Sequence, residues 1–290
     1  LTLSCTAAKL LACIRGSELG RYQATSDGLV ALLRLGTAPV AVQFRREVPG
    51  DIARADADLK GCMYLDTARH ERRVFYADGA NLAPCPGGRY YLGQGAAFPS
   101  LLDGTFPSGD FPASGLAVFG NAAAVRAALQ QYAIMPEGQA QAICYGPLDL
   151  VDFDPADGPI AVVVFCVAKT AMVLTRAAAY ETGGIVPGPI GPPTCASVMV
   201  QPIRDQQAVY TLGCFGFRRY VKIGVDEVVV GLPIGMLAQT VANIERLFAR
   251  RPDIQAALPL SEAIEAPTPL SASTALGGLY QRMFGETGAP

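Results

Sequence analysis

Four cysteines occupy two similar settings along the chain. Cys62-Met63-Tyr64 precedes an apolar run, Val74-Phe75-Tyr76, and then Cys85-Pro86-Gly87-Gly88-Arg89-Tyr90. Cys195-Ala196-Ser197 precedes Val209-Tyr210-Thr211-Leu212 and then Cys214-Phe215-Gly216-Phe217-Arg218-Arg219-Tyr220. Both series end in Cys-x-Gly-x-Arg, which predicts an internal duplication with four thiols available to one central site. Thiolate sulfur is a soft ligand, and iron-sulfur clusters are typically held by four cysteine thiolates. Cys62, Cys85, Cys195 and Cys214 are therefore candidate metal ligands, for a [4Fe-4S] cluster or, alternatively, for zinc. Gly87 and Gly216 would let backbone N–H groups approach sulfur, while Arg89 and Arg218 would offset the charge of a thiolate-ligated centre or hold an anionic ligand.

Spacing alone does not single out a metal. The intervals of 23 between Cys62 and Cys85 and 19 between Cys195 and Cys214 are far from the short Cys-x-x-Cys signatures of metal sites. Two other readings stand beside the first: small buried hydrophobes or one disulfide per half, and a thiol acting on a bound substrate. Cys5, Cys13, Cys144 and Cys166 lie outside the repeat and read as structural, Cys166 most clearly because it sits in a run of Val and Phe. Arg89, Arg218, Arg219 and Lys222 could clamp a phosphate or carboxylate between the halves, or form ion pairs with Asp226, Glu227 or Asp66. Neither glycine motif has phosphate-loop or dinucleotide spacing, so no nucleotide cofactor is expected. His70 is the only histidine, and Thr67 to Arg73 reads as an exposed turn; that argues against a Ser-His-Asp hydrolase or a histidine-rich zinc enzyme. The pairs Asp152 with Asp154 and Asp226 with Glu227 read as solvated surface carboxylates.

The elements that must position these residues are legible in outline. A helical cap over residues 1–36 is expected to hold two helices, one capped by Ser4 and one by Ser26 or Asp27 ahead of Leu29 to Leu33. Val40 to Phe44 is the first strand. From Cys62 the expected order is strand, turn, strand, Cys-x-Gly-x-Arg loop, strand, helix, with Leu116 to Gly120 and Asn121 to Gln131 closing the first half. Val228 to Leu232 and Ile234 to Arg250 close the second; Ile234, Leu237, Val241, Ile244 and Leu247 recur there at helical spacing. Strands are also expected at Ala142 to Tyr145 and Ile160 to Val167, and a helix from Thr170 to Tyr180. A Gly, Pro and Phe-rich insertion between Tyr91 and Gly115 reads as an ordered covering loop. A tail over 251–290 carries a helical patch near Leu279 to Phe284.

The fold expected is α/β or α+β: two pseudo-symmetric halves, 37–157 and 158–250, with a mixed sheet backed by helices. Hydrophobic residues form 51% of the 290 and charged ones 17%, which predicts a surface partly covered, in a homo-oligomer or as a subunit of a complex. The net charge of −2 offers no general attraction to nucleic acid or to anionic lipid. The longest apolar run, Pro159 to Val167, is too short to cross a bilayer, so no membrane partner is expected. Leu1 to Ile14 has no basic start, so a reducing cytoplasmic setting is expected.

At the motif residues the chain resembles the prokaryotic family known as domain of unknown function 169. The similarity runs from about Pro39 to Leu247 and includes Pro39 to Val42, Cys62, the Cys85 to Gly93 segment, Gly191 to Cys195, Cys214 to Arg218 and Ile223 to Pro233. The resemblance implies cysteines at the four motif positions and brings no reaction with it. Phe217 and the doubled Arg218-Arg219 depart from its usual pattern. The function expected from the residues is that of an iron-sulfur redox or electron-transfer protein; a metal-free anion-binding or assembly module and a structural subunit are the alternatives.

Overall fold

The computed structural model describes residues 20–105, 119–189 and 193–259. Their frame is one six-stranded sheet with helices on both faces, an α+β fold. The strands are β1 (Val40–Arg45), β2 (Phe75–Ala77), β3 (Ala142–Pro147), β4 (Ile160–Val167), β5 (Val209–Thr211) and β6 (Glu227–Pro233). Their order across the sheet is β2-β3-β1-β4-β6-β5. Every strand pairing is antiparallel, so the sheet is not the mixed one expected; the one parallel contact is an isolated bridge from Arg54 to Tyr76.

The order is symmetric about the β1–β4 pairing, where Val40 lies opposite Val163 and Val42 opposite Ala161. On either side comes the last strand of each half, and then a three-residue edge strand. Phe75 opposes Tyr145 in one edge ladder, and Val209 opposes Gly231 at the equivalent place in the other. The partner of β6 under this symmetry is β3, not the Leu116 to Gly120 segment, of which residues 116–118 lie outside the described residues.

Alternation of side chains along the central strands divides the core in two. Ala41, Ile160, Val162, Val164 and Val230 face a layer built from α1 (Gln23–Leu33), α6 (Ala168–Ala178) and α9 (Ile234–Arg250). Val40, Val42, Phe44, Val163, Phe165 and Val229 face the other layer, which holds the cysteines. That layer comprises α2 (Gly61–Glu71), α3 (Pro86–Tyr91), α4 (Pro99–Leu102), α5 (Ala122–Leu129), a π-helical turn (Ala196–Val200) running into α7 (Gln201–Asp205), and α8 (Phe215–Tyr220). A short α10 (Pro252–Ala256) follows α9.

The strand expected after Cys62 is a helix. Tyr64, Leu65, Ala68 and Arg69 are buried at helical spacing. His70 therefore lies on α2, where its Nε2 is 3.2 Å from Asp66 Oδ1, and not in a turn. The segment after Cys195 is also helical. Pro202 has no N–H to return to the carbonyl of Val198, and the chain widens into a π turn just before it. The two helices end alike, in left-handed residues Arg72 (φ 52°) and Gln206 (φ 50°), and each delivers an edge strand. Gly231 lets the π turn lie against the sheet: a Cβ there would meet the Val198 carbonyl oxygen at 2.5 Å.

Elsewhere the differences are at element ends. Helix α1 begins before Ser26, because Ser26 is fully buried and faces the core instead of capping it. Asn121 caps α5 as its residue type predicts, its side chain accepting from Ala124 N at 2.9 Å. The helix expected from Ser4 and the patch near Leu279 fall outside the described residues, as does the part of the covering insertion that follows Thr105.

One ion pair ties the Cys62 helix to the second half. The buried Arg69 guanidinium reaches Glu227 through two bonds, at 2.7 and 3.2 Å, at the start of β6. Arg69 Nε also donates to Thr37 Oγ1 at 2.9 Å, and the guanidinium covers the Phe165 ring at 4.3 Å. Removing one partner strands a buried charge, at a cost of about 3–5 kcal/mol, whereas two apolar replacements need not. Urea unfolding of Arg69→Met is expected to show a loss of that size, with much of it recovered in Arg69→Met combined with Glu227→Leu.

Candidate functional site

Each motif cysteine stands at the start of a helical turn. Cys62 is the second residue of α2, Cys85 precedes α3, Cys195 precedes the π turn and Cys214 precedes α8. The first amides of a helix have no partner within it, so they are available to an acceptor. Sulfur takes that role in the second Cys-x-Gly-x-Arg motif. The amide of Phe217 donates to Cys214 Sγ at 3.4 Å, whereas the Cys85 side chain makes no capping bond and its thiol is only drawn down in pKa by the nearby Gly61 and Gly88 amides. The motifs expected as loops are thus short helices, the second of them capped by a thiol.

The four sulfurs are neighbours. Burial pushes the Cys62 thiol well above the ordinary cysteine range; Cys85, Cys214 and Cys195 push it further, and Lys60 pulls it back. Cys195 is raised by burial and then by Cys85 and Cys214, against the pull of the Ala196 and Cys195 amides. Burial also raises Cys85, with the Gly61 amide, Lys60 and the Gly88 amide opposing it and Cys214 adding to it. Thiols from both halves of the molecule therefore feel one another electrostatically. All four are free cysteines, so the reading of one disulfide per half does not describe this arrangement. Cys144 and Cys166 are buried in the sheet, consistent with structural roles.

The glycines and arginines of the motif are placed differently from the expectation. A Cβ at Gly216 would meet nothing within 4 Å and one at Gly87 only Tyr91, whereas one at Gly88 would lie 2.6 Å from Cys85 Sγ. Close approach to sulfur is therefore the property of Gly88. Arg89 donates from Nε to the Gln94 carbonyl at 3.0 Å and packs against Gly95. Arg218 is held by three carbonyls, those of Leu212 at 2.6 Å, Gly224 at 2.9 Å and Glu227 at 2.5 Å. These bonds tie the loops on either side of α8. The expected pairing of these arginines with Glu227 or Asp66 gives way to others: the Glu227 carboxylate binds Arg69, and Asp66 binds His70 and the Lys222 amide at 3.3 Å.

The cation beside the thiols is Lys60, two residues before Cys62. Its Nζ donates to the Pro84 carbonyl at 3.4 Å, next to Cys85, and lies 4.7 Å from the centre of the Tyr220 ring. Burial lowers its pKa, and the Cys85 and Cys62 sulfurs oppose that. Three tyrosines complete the surroundings. Tyr91 interacts with Cys195 and Cys214, Tyr132 with Cys214, and Tyr145 with Cys195 and Cys62. Burial raises all three phenols, Tyr132 to about 12. Neither Lys60 nor the tyrosines has a motif of its own; proximity to Cys62 in sequence is the only signal that could have indicated the lysine.

Among the described residues, no three His, Cys, Asp or Glu side chains form a group that could hold one metal ion, and no helix is long and apolar enough to cross a membrane. Comparison with known proteins bears on identity more than on chemistry. No solved structure matches the chain. An uncharacterised protein of Methanocaldococcus jannaschii, MJ0308, is 29% identical over 237 residues, which cover 79% of this chain and 95% of that protein. The model of the family described as uncharacterised ArCR, domain of unknown function 169, matches residues 28–243, a span that takes in all six strands and all four motif cysteines. The chain belongs to that family.

Proposed function

We propose that the protein is an iron-sulfur redox or electron-transfer protein in which Cys62, Cys85, Cys195 and Cys214 ligate a [4Fe-4S] cluster between the two halves. The observation that carries this reading is the set of four free thiols at four helical starts, in electrostatic reach of one another, with Cys214 already accepting a backbone N–H group. Such amides stabilise a thiolate and the anionic centre it binds. A cluster places each thiolate on its own iron, so its ligands stand further apart than those of a single ion. A small-anion site is less well supported, because Arg89 and Arg218 hold backbone carbonyls.

When bound, the cluster would supply one-electron transfer. The chain's own contributions are charge and enclosure. Lys60 sets one positive charge beside Cys62 and Cys85, while Tyr91 and the aliphatic core exclude water from Cys195. Leu212 and Phe215, flanking Cys214, are 45% and 60% exposed, giving a partner or second copy an apolar approach to the site. Buried thiols suit the reducing interior of a cell.

Protein purified without oxygen is expected to be brown, with iron and acid-labile sulfide in equal amounts. Colour and iron should disappear in Cys→Ser variants at each of the four positions and persist in Cys166→Ala. Colourless, metal-free protein whose motif thiols all alkylate readily would remove the proposal, and one equivalent of zinc would convert the site into a structural one.

The metal-free protein should lose stability as pH rises above about 8.5. The thiols of Cys62, Cys85 and Cys195 have raised pKa values in the folded state, so the unfolded chain releases its protons first. Each such thiol steepens the loss by about 1.4 kcal/mol per pH unit until it ionises in the folded state. Urea midpoints from pH 7 to 10 check this; a flat profile would contradict the burial of the thiols. Gly88→Ala is expected to lower iron content by displacing Cys85 Sγ, and Gly216→Ala to leave it unchanged.

A further inference from the structure

The face of the sheet opposite the cysteines carries a groove at the outer edge of the second half, where the chain leaves α6, turns and returns along β5. Gly183 makes the turn in a left-handed conformation (φ 65°), its amide bonded to the Ala179 carbonyl at 2.8 Å. The proline-containing return then covers the open edge of β5, the Tyr210 amide donating to the Pro187 carbonyl at 3.1 Å. Between this return and α6 lies a cavity of about 290 Å³, close to the lower end of the range usual for small-molecule sites.

The walls are largely apolar: Met172, which is 53% exposed, Ala179 and Val186. Two polar groups stand among them. Neither the Arg176 guanidinium nor the Tyr210 hydroxyl has a hydrogen-bond or ion-pair partner among the described residues. Thr175, the other hydroxyl at the cavity, is already turned to the Ala171 carbonyl at 2.8 Å. Packing fixes the tyrosine. Its ring lies so close over Gly188 that a Cβ there would come within 2.1 Å of Cζ and 2.5 Å of the hydroxyl oxygen, so the ring's position requires glycine.

These features select a class of ligand. A planar guanidinium matches a carboxylate in two parallel bonds, and a single cation suits a monoanion better than a phosphate dianion. The thioether and the phenol ring at the groove favour an aromatic hydrocarbon body. We propose that this groove binds a small carboxylic acid with an apolar body, Arg176 pairing with the carboxylate, Tyr210 presenting its hydroxyl to the same ligand, and Met172 and Val186 covering the hydrocarbon. The groove lies in the layer of α1, α6 and α9, so it stands whether or not the four cysteines hold a cluster.

Calorimetric titration of the full chain with hydrocinnamate, its neutral amide and inorganic phosphate tests this. The acid is expected to bind, and the amide and phosphate to bind about tenfold more weakly, the ratio that a charge-assisted pair confers. Arg176 occupies an exposed helical position, so Arg176→Gln should fold. That variant is expected to weaken the acid about tenfold and to leave the amide unchanged. Tyr210→Phe keeps the ring over Gly188 and is expected to weaken the acid about fivefold. Equal binding of acid and amide would mean an apolar surface only, and equal binding of phosphate an unselective cation; either overturns the proposal. So does an acid that fails to bind, or that binds Arg176→Gln as tightly as the unsubstituted protein.

Discussion

The Arg69–Glu227 pair is the constraint on which the site depends. It joins the helix that begins with Cys62 to the strand that follows the Cys214 helix, across the line where the two halves meet. Burying both ions costs several kcal/mol each unless their remaining donors and acceptors are satisfied. Here they are: the guanidinium also reaches Thr37 and the Lys222 carbonyl and lies over Phe165, and the Glu227 carboxylate accepts from the Gly224 amide at 3.0 Å. Arg218 then clamps the same turn through the Gly224 and Glu227 carbonyls. A charge network that is this complete specifies one placement of α2 against the second half, and with it the distance between Cys62 and the second-half thiols.

Two opposing effects act on those thiols. Amides at helical starts and the Lys60 ammonium favour thiolate, while burial and the proximity of other sulfurs favour the neutral form. Burial is the largest influence on Cys62, Cys85 and Cys195, so the folded chain alone holds them protonated at neutral pH. A cationic centre would reverse the balance, since the amides and the buried setting then stabilise a bound thiolate that water cannot reach. Arg89 and Arg218 bind backbone carbonyls and not these thiols.

The duplication is visible in topology and broken in detail. Tyr145 and Gly231 occupy equivalent places opposite the two edge strands, yet one is the largest side chain in its strand and the other has none. Where Gly231 stands, the Cys195 π turn rests directly on the sheet; where Tyr145 stands, an aromatic ring fills the space beneath α2. The two cysteine-bearing helices are consequently held in different ways above a symmetric sheet.

Local patterns were enough to locate β1, β4, β6 and α9, because each is a long apolar run or a sustained helical stripe whose burial follows from its own residues. The two similar cysteine settings were also legible, since repeated chemistry survives when the surrounding sequence has diverged. The short elements were not: the segments after Cys62 and Cys195 read as strands, and only packing onto the sheet made both helical. Sequence by itself determined which thiols could act together and which strands would be central. Tertiary structure decided that β3 is the counterpart of β6, that Gly88 approaches sulfur, that Arg89 and Arg218 bind carbonyls, and that Lys60 and Tyr145 stand beside the cysteines. Those outcomes depend on contacts between residues far apart in the chain, which neither periodicity nor spacing encodes.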